Sequence, residues 1–109
     1  MAEAEFVAVL VTTSSAEEGE RLALALVEER LAACVNVVGP IRSVYRWQGS
    51  VERAEEYLLI VKTRRAVFAA VSARVQELHS YTTPEIVALP IEAGAESYLA
   101  WLADSTSLS

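Results

Sequence analysis

The chain predicts an α+β domain with the element order β-α-β-β-α-β-α, on three observations. Short apolar runs of strand length alternate with stretches of helical periodicity. Two of the strand-like runs, Cys34–Trp47 and Val51–Thr63, are about twice the usual strand length and are joined only by the compact turn Gln48-Gly49-Ser50. Each half of the chain reads strand, helix, strand. Two such halves around an antiparallel hairpin make the ferredoxin-like split motif, a four-stranded antiparallel sheet with helices over one face. The 109 residues support one domain, 1–109, and one core without staples. There is no linker, repeat or low-complexity segment.

Phe6 to Thr12 is a nearly continuous apolar run, as in a strand covered on both faces. Ser15 and Glu18 then fit a capping box. Behind them Leu22, Leu26 and Val27 recur at helical spacing and are expected to face inward, with Glu17, Glu20, Arg21, Glu28 and Glu29 on the other faces. Gly19 weakens the first turn by ~1 kcal/mol relative to alanine. The long second strand, Cys34–Trp47, is interrupted at Gly39-Pro40, where a bulge or bend is expected. With Gly49 at the centre of the turn, Trp47 lies opposite Val51, Arg46 opposite Glu52 and Arg42 opposite Glu56, both favourable charge pairs. Arg64–Leu78 reads as the second helix, with Val67, Phe68, Val71, Val75 and Leu78 on one face. His79 to Pro84 is a loop, because a residue before proline resists helical geometry. Ile86–Ile91 is a short strand, and Pro90 within it points to an edge or a strand end. Gly94 precedes a last helix in which Tyr98 and Trp101 are expected to pack on the sheet, and the tail DSTSLS is expected to fray.

Composition excludes several function classes. The formal net charge of −6 disfavours nucleic acid and anionic lipid as partners. It serves solubility and weakly favours cations. No run approaches the ~18–20 apolar residues of a membrane helix. The acidic start MAEAEF is unlike a signal peptide. A cytoplasmic protein is the expectation. The single cysteine, Cys34, excludes an intrachain disulfide and suits a reducing compartment. The motifs GxSxG, HExxH, GxGxxG and the Walker loop are missing, so an enzyme is not expected.

Lengths then point to assembly. At ~3.3 Å per residue the hairpin is roughly 45 Å long. The first helix spans only ~25 Å, and a globule of this size is roughly 34 Å across. The hairpin must overhang the body, carrying Val44, Tyr45, Trp47 and Val51 with it. An isolated two-stranded ribbon is marginal in water, and apolar edges invite pairing. Docking on a neighbouring subunit resolves this. The alternative is a hairpin bent back over its own sheet at Gly39-Pro40.

Few side chains here carry chemistry. Cys34 follows Leu31-Ala32-Ala33, where a cysteine acts as a small buried hydrophobe or, alternatively, as a thiolate ligand. His79 lies just past a helix C-terminus, suited to capping or to metal ligation. The two cannot complete a closed four-ligand site alone, so Glu56, Glu85 or another subunit would have to contribute. A thiolate and imidazole mixture suits copper and several other metals. Lys62 either snorkels at a strand end or binds an anion in a cleft.

The segments ALVEERLAACVNVV, SVYRWQGSVE, EEYLLIVKT, LHSYTTPEIVALPI and YLAWL occur in order across nearly the whole chain. Together they resemble the CutA divalent-cation tolerance family. The resemblance implies a homotrimer held through the long hairpins, with Tyr45, Trp47 and Val51 in the assembly. It also implies binding of copper or other divalent metal ions, with no required cofactor. The matching polar positions are Cys34, Asn36, Lys62, His79, Tyr81, Pro84 and Glu85. Among them Cys34, His79 and Glu85 are the candidate metal ligands, and Asn36, Lys62 and Tyr81 the candidate cleft residues. One position departs from the pattern, Ser80 standing where the family usually has proline. The assembly is also similar to that of the PII signal-transduction proteins, so a trimeric module binding a small-molecule effector between subunits is the second expectation.

Overall fold

The computed structural model describes residues 4–106. Its elements are β1 (Phe6–Thr13), α1 (Ala16–Glu28), β2 (Cys34–Trp47), β3 (Ser50–Arg64), a 3-10 turn (Arg65–Val67), α2 (Phe68–Leu78), β4 (Val87–Pro90) and α3 (Glu96–Ser105). The strands form one antiparallel sheet in the order β2-β3-β1-β4. This is the expected split β-α-β arrangement, with Pro90 on an edge strand as its missing N–H requires.

Alternation along the strands gives the sheet two unlike faces. Val7, Val9 and Val11 of β1 and Leu59 and Val61 of β3 are wholly buried against Leu22 and Leu26 of α1 and Val71 and Val75 of α2. Burying each such side chain stabilises the fold by ~1.5–3 kcal/mol. Gly19 has a packing role here, since a Cβ on it would lie 3.1 Å from Leu59 Cδ2 and 3.2 Å from Thr13 Oγ1. The side chains of the opposite face include Val38, Val87 and Leu89, all exposed. α3 meets the sheet from this second side: the Arg64 guanidinium donates to the Thr106 hydroxyl and carbonyl. Leu102 is buried there, apart from the main core.

Several expectations need correction. The hairpin turn has two residues, not three: Gln48 (φ 51°) and Gly49 (φ 83°) are both left-handed, the combination that a right-twisted ribbon prefers. The register therefore moves by one. Trp47 faces Ser50, Arg46 faces Val51, Tyr45 faces Glu52, Arg42 faces Glu55 and Ile41 faces Glu56. The irregularity expected at Gly39-Pro40 is present, as a register shift between Val38 and Ile41. β3 continues through Arg64, so α2 begins at Phe68 after a 3-10 turn.

Val27 and Leu78 are exposed, because Leu22 and Leu26, and Val71 and Val75, already centre the two buried faces. Leu31 takes the place expected of Val27. α1 ends in a Schellman arrangement with Arg30 left-handed (φ 62°), Leu31 N–H donating to the Leu26 carbonyl and Arg30 N–H to that of Val27. Tyr98 and Trp101 are exposed and pack on each other, ring centroids 5.4 Å apart. Thr106 in the tail is buried and held by Arg64, while residues 107–109 of the tail lie outside the described residues. The long axis is 43 Å, close to the length expected for an extended hairpin rather than a folded-back one.

Candidate functional site

The end of β1, the start of α1 and the loop after α2 are tied together by a polar cluster. Ser15 Oγ caps α1 by accepting from Glu18 N–H at 3.1 Å. The Glu18 carboxylate, nearly inaccessible, turns back to accept from the N–H and hydroxyl of Ser14 and from Ser80 N–H at 2.8 Å. Burial opposes its ionisation, yet the Ser80 and Ser14 hydrogen bonds outweigh it and hold the carboxyl below the usual range. Ser80 supplies here an N–H that a proline lacks.

His79 sits beside this carboxylate, Nδ1 3.7 Å from Glu18 Oε2, with no exposed side-chain surface. Its Nε2 lies 2.7 Å from the Thr12 carbonyl, which can only accept, and its Nδ1 accepts from Tyr81 N–H at 3.0 Å. The ring is thereby fixed with the proton on Nε2. Both nitrogens are in use, so His79 as placed presents no lone pair to a metal. Tyr81 continues the chain of contacts, its hydroxyl donating to Glu56 Oε2 at 2.7 Å. Burial, then the Glu56 bond and charge, push the Tyr81 hydroxyl well above its ordinary value, so it remains a donor.

Tyr81 and Glu56 floor an open cleft of about 830 Å³ between the hairpin arm and the 80–85 loop. Ser43, Val44, Tyr45 and Trp47 line one wall, and Ser80 with Thr82, Thr83, Pro84 and Glu85 the other. Two carboxylates and three aromatic rings line this space, and among the described residues no lysine, arginine or histidine does. A phosphate group would find no cationic partner among these side chains. Sequence reasoning singled out Tyr45, Trp47, Tyr81 and Glu85 separately, but not the cleft that joins them.

Cys34, Asn36 and Lys62 form a second group elsewhere. Cys34 and Lys62 face each other across β2 and β3, and the Lys62 ammonium donates to Asn36 Oδ1, with Cys34 Sγ 4.0 Å from the same oxygen. Lys62 thus spends its charge on a neighbour's carbonyl. Cys34 is half-buried, more accessible than a core cysteine. Tyr98 of α3 lies near it; burial, then that thiol, raise the Tyr98 hydroxyl.

Cys34 and His79 are not brought together. Thr12, which holds His79, faces Leu58, whereas Cys34 faces Lys62, four residues or ~13 Å further along β3. A ligand bond spans only ~2.0–2.3 Å. Among the described residues no three histidine, cysteine, aspartate or glutamate side chains gather where they could hold a metal ion. The donors of one chain therefore do not fit a closed metal site. No helix among the described residues is long and apolar enough to cross a membrane.

Comparison with known proteins places these features in a family. A family model described as CutA1 divalent ion tolerance protein matches residues 7–105. The divalent-cation tolerance protein CutA of Thermus thermophilus is 54% identical over 98 residues, covering 90% of this chain and 95% of that protein. The chloroplastic CutA protein of Arabidopsis thaliana is 46% identical over 100 residues, 92% of this chain but 55% of its own length. The chain thus spans little more than half of that plant protein. Among solved structures, the Cut A1 protein of Thermus thermophilus superposes with a TM-score of 0.92 at 52% identity, covering 94% of this chain and 99% of that one. With a family model over nearly all its length and the Thermus thermophilus relative matched almost end to end, this chain belongs to the CutA1 divalent ion tolerance family.

Proposed function

We propose that the chain acts in divalent-cation tolerance as a cytoplasmic homotrimer that binds metal ions, copper first among them, at sites completed between subunits, and that it catalyses no reaction. The observation that carries the assembly is the arm: Val44, Tyr45, Trp47 and Val51 are all exposed at 43–66% on a projecting two-stranded ribbon. Such a ribbon gains stability by docking on a neighbour. Half-buried Cys34 is the soft donor of the chain, and Glu85 on the rim of the cleft is a hard one. Neither has enough partners within one protomer, so ligands from a second subunit complete the set. Membership of the family supports the link to divalent cations. The separation of Cys34 from His79 also supports a non-enzymatic role, since it leaves the thiol without a base.

Calorimetric titration of tag-free protein with copper, under conditions that prevent thiol oxidation, tests the metal half of this reading. Wild type is expected to bind at a defined stoichiometry, Cys34→Ser and Glu85→Gln to bind about tenfold or more weakly, and affinity to fall with pH as protons compete for the ligands. His79→Ala is expected to act only by loosening the 79–81 loop. Equal affinity and stoichiometry in wild type and Cys34→Ser would overturn the assignment.

A further inference from the structure

The two faces of the arm differ in charge. Residues opposite each other on paired strands share a face, and faces alternate along each strand. On one face Arg42 lies opposite Glu55, Val44 opposite Arg53 and Arg46 opposite Val51, a net charge of +2. On the other, Tyr45 lies opposite Glu52, with Trp47 and Glu56 on the same side, a net charge of −2. Tyr45, Trp47 and Glu56 of this second face line the cleft, and Val44, on edge strand β2, borders it as well. Arg42, Arg46 and Arg53 are exposed, and among the described residues none of them makes an ion pair. Their own ribbon separates them from Glu52 and Glu56, which it holds on its far side. The spacings match across the two faces. Arg42 and Arg46 are four residues apart on β2, and Glu52 and Glu56 four apart on β3, ~13 Å in each case.

We propose that the arms join head to tail in the assembly, the arginine face of one covering the acidic, aromatic face of the next. This rests on the homotrimer proposed above and names the surfaces that hold it. Guanidinium groups suit the second face, because they pair with carboxylates and lie against the faces of aromatic rings. The cleft lining lacks a cation among the described residues, and the next arm supplies it. A two-fold contact of arm on arm would set like charge against like. Joining unlike faces brings opposite charges together, and a heterologous contact of that kind can close into a ring.

Subunit exchange reads this contact. Isotopically heavy and light forms of each protein are mixed at low salt, and native mass spectrometry follows the appearance of mixed trimers. Arg42→Glu with Arg46→Glu turns the first face from a net charge of +2 to −2 and is expected to speed exchange about tenfold or more. Glu52→Arg alone is expected to speed it as well. Added to the two arginine reversals, Glu52→Arg is expected to have the opposite effect and slow exchange, because it then meets carboxylates. High salt is expected to shrink all three effects. The three side chains are exposed, and the far-ultraviolet circular dichroism of each variant is expected to match wild type. If the reversed arginine pair does not assemble, the return of trimer mass on adding Glu52→Arg is the readout. Exchange at the wild-type rate in the variants, or a Glu52→Arg effect of the same sign in both backgrounds, would overturn the head-to-tail contact and leave the trimer standing. A one-chain mass for wild type would overturn both.

Discussion

Glu18 shows how one side chain joins segments far apart in the sequence. The spacing Ser15 to Glu18 announces a helix cap, and the cap forms. Nothing local announces that the same carboxylate holds Ser80, because that partner is 62 residues away. Its carboxyl is held below the ordinary value, so its contribution to stability is complete above the unfolded pKa of about 4.3. It is lost as pH falls through the lower folded value. Glu18→Gln turns one acceptor oxygen into a donor facing other donors and is expected to destabilise the fold by ~1–3 kcal/mol near neutrality. Denaturant midpoints at pH 7 and pH 3 provide the check: the acid-induced loss of stability is expected to be smaller in the variant than in wild type. An equal loss in both would remove Glu18 from the account. His79 illustrates the opposite limit of sequence reading. Its position after a helix suits a metal ligand, but its ring is spent on Thr12 and Tyr81, a use that only the folded loop reveals.

At the scale of elements, hydrophobic period and breaker residues located every strand and helix, because a half-buried face imposes its spacing on the sequence. Register in the arm was not legible in the same way. Both arm faces mix charged and apolar residues, so alternation does not choose between a two-residue and a three-residue turn, and the positive φ of Gln48 decides it. The start of α2 was similarly hidden, since nothing in Arg64-Arg65-Ala66 breaks the strand. Gly19 reads as a weak point of α1 by propensity, yet its role is to let the helix approach β1 and β3. Gly19→Ala gains ~1 kcal/mol of helix propensity but presses on Leu59, which is wholly buried, and on Thr13, whose hydroxyl is held by the Ser15 carbonyl. Overpacking of this kind costs ~1–3 kcal/mol, so a net loss is expected. A thermal midpoint equal to or above that of wild type would show that the helix shifts freely instead.

For the whole molecule, the sheet order and the two-faced sheet follow from patterns that the sequence carries, but the cleft does not, as its walls come from β1, the arm, β3 and the 80–85 loop. The overhang followed from length alone, and the 43 Å long axis agrees with it. The arm displays Trp47 at 45% exposure and the open face displays Val38, Val87 and Leu89, apolar surface that the proposed assembly would cover. Trp47→Ala is expected to weaken assembly by ~3–5 kcal/mol if the ring is buried on a neighbour, seen as an unfolding midpoint that falls and depends more steeply on protein concentration. The most direct test is the mass in solution by light scattering after size exclusion at micromolar concentration. A homotrimer predicts about 36 kDa, three times the 11.9 kDa of one chain; a mass of about 12 kDa would contradict it.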